Sequence, residues 1–207
     1  MGRRQENPPA GRLLGMAGER RQVDPGPGTR TNTIGHPVER MLNASARDIL
    51  DALENGFRAR ADLKGKLAEL FMSRHLDGLQ RDDVIDHYRW FDQDGVPDFN
   101  IWFTDGTILQ LEVKNVRSGT GPLRAETQKT RASRGDPMSR YYRVDHFEIM
   151  AACMFNATGQ WDYVFARSAD LLRLPDNPDY LATMQPIDPA IMHPWYRTLA
   201  EVHGLAR

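Results

Sequence analysis

The chain has 207 residues, 40% of them hydrophobic and 27% charged, and a net charge of −1, which suits one globular domain able to bury a proper core. No apolar run approaches the ~20 residues of a membrane helix, and no hydrophobic stretch follows Arg3 and Arg4 to make a secretory signal. The expectation is a cytoplasmic protein with no membrane association. One cysteine, Cys153, excludes an internal disulfide and any cysteine-ligated zinc or iron–sulfur centre.

Residues 1–35 are rich in Pro, Gly and Arg and carry little apolar periodicity. Such a segment cannot bury enough surface to offset its ordering entropy, so it reads as a disordered or extended tail before a single domain at 36–207. Ala44 to Glu54 is expected to be a helix with Ile49, Leu50 and Leu53 on one side. A second helix is expected from Asp62 to Leu76, with an apolar stripe of Leu63, Leu67, Leu70 and Phe71. Then the period changes. Val84 to Phe91, Val96 to Phe103 and Ile108 to Val116 read as strands, with turns at 92–95 and 104–107. Three strands joined by tight turns make an antiparallel meander. Residues 118–136 read as loop with a short helix at Ala125 to Arg131. Tyr141 to Phe155 reads as a long helix, since Phe147, Met150, Ala151 and Met154 stand at helical spacing. Trp161 to Arg167 returns as a strand, and a short helix is expected from Trp195 to Val202. This order predicts an α/β fold, a mixed β-sheet with an antiparallel meander flanked by helices on both faces.

The chemistry concentrates on the meander. Side chains alternate along a strand, so Glu112 and Lys114 point one way and Val113 the other. With Asp98 on the neighbouring strand, two carboxylates and an ammonium converge. Carboxylates that close repel unless a divalent cation sits between them. The bland alternatives are a turn residue for Asp98 and an exposed strand pair for Glu112 and Lys114. An apolar strand around a charged pair favours a functional or paired role. Between Glu112 and Arg143, eight lysines and arginines face three acids, a basic band that suits a polyanion or merely a solvated face.

Pro97-Asp98 followed by Glu112-Val113-Lys114, within the order helix, meander, helix, strand, resembles the PD-(D/E)xK nuclease superfamily with its restriction-endonuclease-like fold, over roughly Ala61 to Arg167. That resemblance implies a divalent-metal-dependent DNA endonuclease, a phosphodiester hydrolase of restriction or anti-phage defence. It implies Mg²⁺, or Mn²⁺, held by Asp98, Glu112 and the backbone carbonyl of Val113, with Lys114 at the attacking water. Glu69 stands where many members carry an accessory metal acid, although its position off the Leu63/Leu67/Leu70 stripe fits a solvated face as well. Gln128 and Lys129 match a downstream Gln motif that would reach the scissile phosphate. Arg117, Arg131 and Arg134 are candidate nucleic-acid contacts, each also readable as a solvated cation. Tyr142 is explained more cheaply by core packing than by base stacking, and His146 has no second histidine at ligand spacing. DNA is the implied partner, with a homodimer or a larger nuclease complex as the assembly. The alternatives are a non-cleaving nucleic-acid-binding or assembly subunit with the same fold, or a DNA repair or recombination nuclease.

Overall fold

The computed structural model describes residues 35–93, 95–117, 119–129, 135–190 and 193–205. The expected tail, apart from Gly35, and the candidate residues Arg131 and Arg134 lie outside these. The chain forms two units, residues 1–49 and 50–207. In the first, α1 (Pro37–Leu42) opens with a capping box: the His36 ring accepts from the Val38 N–H at 3.2 Å, and the Glu39 carboxylate accepts from the His36 N–H at 2.6 Å. These bonds satisfy donors that a helix start leaves without partners. The next helix, α2 (Ala46–Asn55), buries none of its residues.

The second unit carries α3 (Phe57–Arg81), β1 (Ile85–Trp90), β2 (Phe99–Phe103), β3 (Ile108–Asn115), β4 (Arg124–Glu126), β5 (Ile149–Cys153), α4 (Phe155–Thr158), β6 (Tyr163–Arg167), β7 (Arg173–Leu174), β8 (Asn177–Leu181), β9 (Met184–Pro186) and α5 (Leu199–Leu205). Among the described residues the strands form a five-stranded sheet in the order β1-β2-β3-β5-β6 and two small sheets, β4-β9 and β7-β8. The large sheet is antiparallel except where β3 meets β5 in parallel. Its first three strands are the expected meander. In the β2–β3 turn Gly106 adopts φ +89°, a backbone that a side chain disfavours, and its N–H bonds the Phe103 carbonyl at 2.9 Å.

Each face of the sheet covers its own core. Ala68, Met72 and Leu76 of α3 and Leu199 and Val202 of α5 pack with Phe99, Ile101, Leu111, Ile149 and Phe165 on one side. On the other, Met150, Ala152 and Ala166 pack against Ala125, Tyr142, Phe147, Leu181 and Trp195, which belong to strands and connections. The mixed, helix-flanked sheet is as expected; the difference is that this second face is roofed by non-helical chain.

Four local expectations are corrected. Tyr141 to Phe155 is not a helix: β5 runs through its second half, and every one of its residues is buried. A strand sandwiched between two cores needs apolar residues on both faces, so Ile149-Met-Ala-Ala-Cys153 loses the alternation that marks a half-buried strand. The short helix expected at Ala125 to Arg131 is instead β4, paired with β9, followed by a bridge between Gln128 and Tyr141. The buried face of α3 is also turned from the expected stripe. Its buried residues are Ala68, Glu69, Met72, Ser73 and Leu76, while Leu63 is exposed. The last helix begins at Leu199, and Trp195 stands outside it with its indole N–H on the Pro186 carbonyl at 2.8 Å. Among the described residues no helix is long and apolar enough to cross a membrane.

Candidate functional site

The β2–β3 register pairs Phe99 with Leu111, and one further step sets Asp98 opposite Glu112. Asp98, expected on the strand, is the residue just before it. Its position is fixed twice. The Asp98 carbonyl accepts from the Phe91 N–H at 2.8 Å, and its Oδ2 accepts from the Val113 N–H at 2.8 Å. The second bond ties the carboxylate to the middle residue of Glu112-Val113-Lys114. Val113 itself buries its side chain in the helix-side core, so it meets the site through its backbone, as period-two alternation requires.

Glu112 and Lys114 point to the other face and into a cleft that also takes in Glu69, Asp98, Gln128 and Lys129. Lys114 Nζ donates to Glu112 Oε1 at 2.6 Å, with the two side chains only 20% and 6% exposed. The Tyr142 hydroxyl donates to the same Oε1. Burial first, then the Glu112 charge and that of Glu69, push the Asp98 carboxyl up to about 7, against the pull of Lys114 and the Val113 amide. Burial opposes the Lys114 ammonium, yet Glu112, Tyr142 and Asp98 outweigh it and raise its pKa. Burial likewise raises the Tyr142 phenol, assisted by Glu112 and opposed by Lys114. The lysine is therefore a cation and the tyrosine neutral at any physiological pH.

Glu69 reaches this cleft because α3 turns it inward beside Ala68. Its Oε2 accepts from Lys66 Nζ at 3.0 Å and from the Trp90 indole at 3.1 Å. Gln128 Oε1 accepts from the Arg140 guanidinium at 3.2 Å, and Lys129 Nζ stands 5.0 Å from the centre of the Tyr142 ring. Arg117 is exposed, outside the residues lining the cleft; its N–H bonds the Arg124 carbonyl at 2.8 Å. His146 lines the cleft and meets Tyr142 edge-on at 6.0 Å, on a non-helical connection rather than a helix. Trp161 offers no free face for a base, since it stacks between Phe71 at 4.6 Å and Phe155 at 4.1 Å. The sequence alone reads Tyr142 as packing. Its signal is weak: a tyrosine among cations beyond the Glu-x-Lys strand, legible only once that segment is known to fold back over β3.

Among the described residues no group of three or more His, Cys, Asp or Glu side chains stands ready to hold a metal ion. The donor set nevertheless suits a magnesium-like cation, which is commonly held by one or two carboxylates while water and substrate phosphate fill its other positions. Asp98 and Glu112 are hard oxygen donors, and the Asp98 carboxyl is raised first by burial and then by the charges of Glu112 and Glu69, the second a repulsion that a cation would relieve.

No family model and no curated protein matches the chain. Among solved structures it is similar to the bacterial homing endonuclease I-Ssp6803I, at 18% identity and a TM-score of 0.37, over 52% of this chain and 68% of that one.

Proposed function

We propose that the protein is a divalent-metal-dependent nuclease of the PD-(D/E)xK kind, hydrolysing phosphodiester bonds in DNA. The observation that carries this reading is the Asp98 carboxylate, tied to the Val113 amide opposite Glu112 and Lys114 in one cleft. Asp98 and Glu112 would hold Mg²⁺ or Mn²⁺, with Glu69 in reach of the same cleft and the Val113 carbonyl as a backbone ligand. When bound, the cation supplies Lewis acidity to a phosphate oxygen and to the attacking water.

The chain's own groups do the rest. In hydrolysis the water oxygen bonds to phosphorus, the bond to the sugar oxygen breaks, and that oxygen leaves with a proton. Negative charge grows on the phosphate oxygens along the way. Lys114 places a permanent ammonium beside that charge in a partly dehydrated cleft, where fixed donors act most strongly. Gln128 and Lys129, on the connection beyond β3, offer an amide and a second ammonium to the scissile phosphate or its neighbour. Arg117, Arg131 and Arg134 belong to the same reading as contacts to flanking DNA. A cytoplasmic role in restriction or anti-phage defence goes with it, in a homodimer or a larger nuclease complex, because cutting both strands of a duplex calls for two related sites.

The test uses supercoiled plasmid with Mg²⁺ or Mn²⁺. Metal-dependent nicking is expected from the wild type, abolished in Asp98→Ala and reduced about 10²–10³-fold in Lys114→Ala. Salt-sensitive DNA binding with no cleavage under any metal would instead identify a non-cleaving subunit.

A further inference from the structure

We infer that Tyr142 is a positioning residue of this site, holding the Glu112 carboxylate and the Lys114 and Lys129 ammonium groups in one arrangement around a bound phosphate; the inference rests on the hydrolase reading above. A buried tyrosine that only packs needs one acceptor for its hydroxyl, and a nearby backbone carbonyl serves. Tyr142, 9% exposed, gives its O–H to the carboxylate of the Glu-x-Lys pair instead. Lys114 donates to that same Oε1. With both donors on one oxygen, no hydrogen bond among the described residues involves Glu112 Oε2, which leaves that oxygen for a ligand.

The ring adds a second constraint. Lys114 Nζ stands 4.9 Å and Lys129 Nζ 5.0 Å from its centre, so one π-face system attracts two ammonium groups that repel each other. Lys129 comes from the connection after β4 and Lys114 from β3, and the Tyr142 ring meets both. The tyrosine is itself held from behind. Its carbonyl accepts from the Leu181 N–H at 2.9 Å, and its ring meets Phe147 edge-on at 5.5 Å within the second core. A phenol held in this way bears on the direction of one carboxylate and on the placing of two cations, the groups that a bound phosphate would meet. Side chains that orient a metal-binding carboxylate commonly alter metal affinity or activity about 10–100-fold when removed.

Two substitutions separate this role from packing. Tyr142→Phe removes the hydroxyl and keeps the ring; Tyr142→Leu removes both. Wild type, Asp98→Ala and the two variants are compared in plasmid nicking across a Mn²⁺ titration, in Mn²⁺-induced shifts of Tm, and in anisotropy of a labelled DNA duplex in EDTA. Tyr142→Phe is expected to lower kcat about 10–100-fold and to raise the Mn²⁺ midpoint in both assays, with KM, metal-free Tm and affinity in EDTA as in wild type. Tyr142→Leu is expected, in addition, to weaken duplex binding in EDTA and to flatten its salt dependence by about one phosphate contact. If Tyr142→Leu does not fold, Tyr142→Phe alone decides. A Tyr142→Phe protein with wild-type kcat and Mn²⁺ midpoint overturns the inference and leaves the hydrolase standing, provided wild type cuts and Asp98→Ala does not. A wild type that never cuts overturns both.

Discussion

At the scale of single residues, Asp98 gathers the site's opposing forces into one carboxylate. The Val113 amide holds it in place, while burial and the charges of Glu112 and Glu69 press it toward the protonated form, at about 7. An unfolded aspartate titrates near ~3.9. Between about pH 4 and pH 7 the folded, metal-free protein therefore binds more protons than the unfolded chain, and stability falls as pH rises through that window. Asp98→Asn keeps an acceptor for the amide and cannot ionise. We expect it to flatten this pH dependence and to raise Tm at pH 8 in EDTA, about 2–4 °C for each kcal/mol gained, with plasmid nicking lost. An Asp98→Asn variant melting below wild type at pH 8 would count against the like-charge account.

At the scale of elements, β5 feeds both cores, as β6 does: Ile149, Ala151 and Cys153 lie in one, Met150 and Ala152 in the other. Met150 is fully buried on the non-helical face beside Ala152 and Tyr142. Truncating it by Met150→Ala should cost about 2–5 kcal/mol, read as a lower denaturant midpoint with the same slope; a loss below about 1 kcal/mol would mean that the strand is not packed as described. This element was also the hardest to foresee. The meander was legible because each strand keeps a polar face and each turn carries Asp-Gly, signals confined to a few neighbouring residues. For β5 the pattern of Phe147, Met150 and Met154 imitates a helix, and what makes it a strand is a parallel partner, β3, far back in the chain. Asp98, Glu112 and Lys114 could be placed from the meander alone. Glu69 was harder, because the stripe Leu63/Leu67/Leu70 points to one face of α3 and the packing selects Ala68/Met72/Leu76. Tyr142 lies in the segment whose spacing imitates a helix, so the sequence alone reads it as core.

At the scale of the whole molecule, a net charge of −1 gives no general attraction to a polyanion, so the DNA affinity that the proposed function calls for would come from local cations. Lys66, Lys114, Lys129 and Arg143 line the cleft. With one phosphate neutralised by each, the logarithm of the duplex association constant should fall against the logarithm of salt concentration with a slope of about −3.6 from the cleft alone, steeper with the flanking arginines; a slope near zero would exclude the cleft as a DNA seat. The route of the chain adds a consequence of its own. Because β5 lies parallel to β3, the backbone must cross from one end of the sheet to the other, and that crossing brings Gln128, Lys129 and Tyr142 over residues laid down earlier. A polypeptide emerging from the ribosome would carry Asp98, Glu112 and Lys114 before it possessed the segment that organises them. On the proposed reading, competence to cut would wait for the parallel pairing to close.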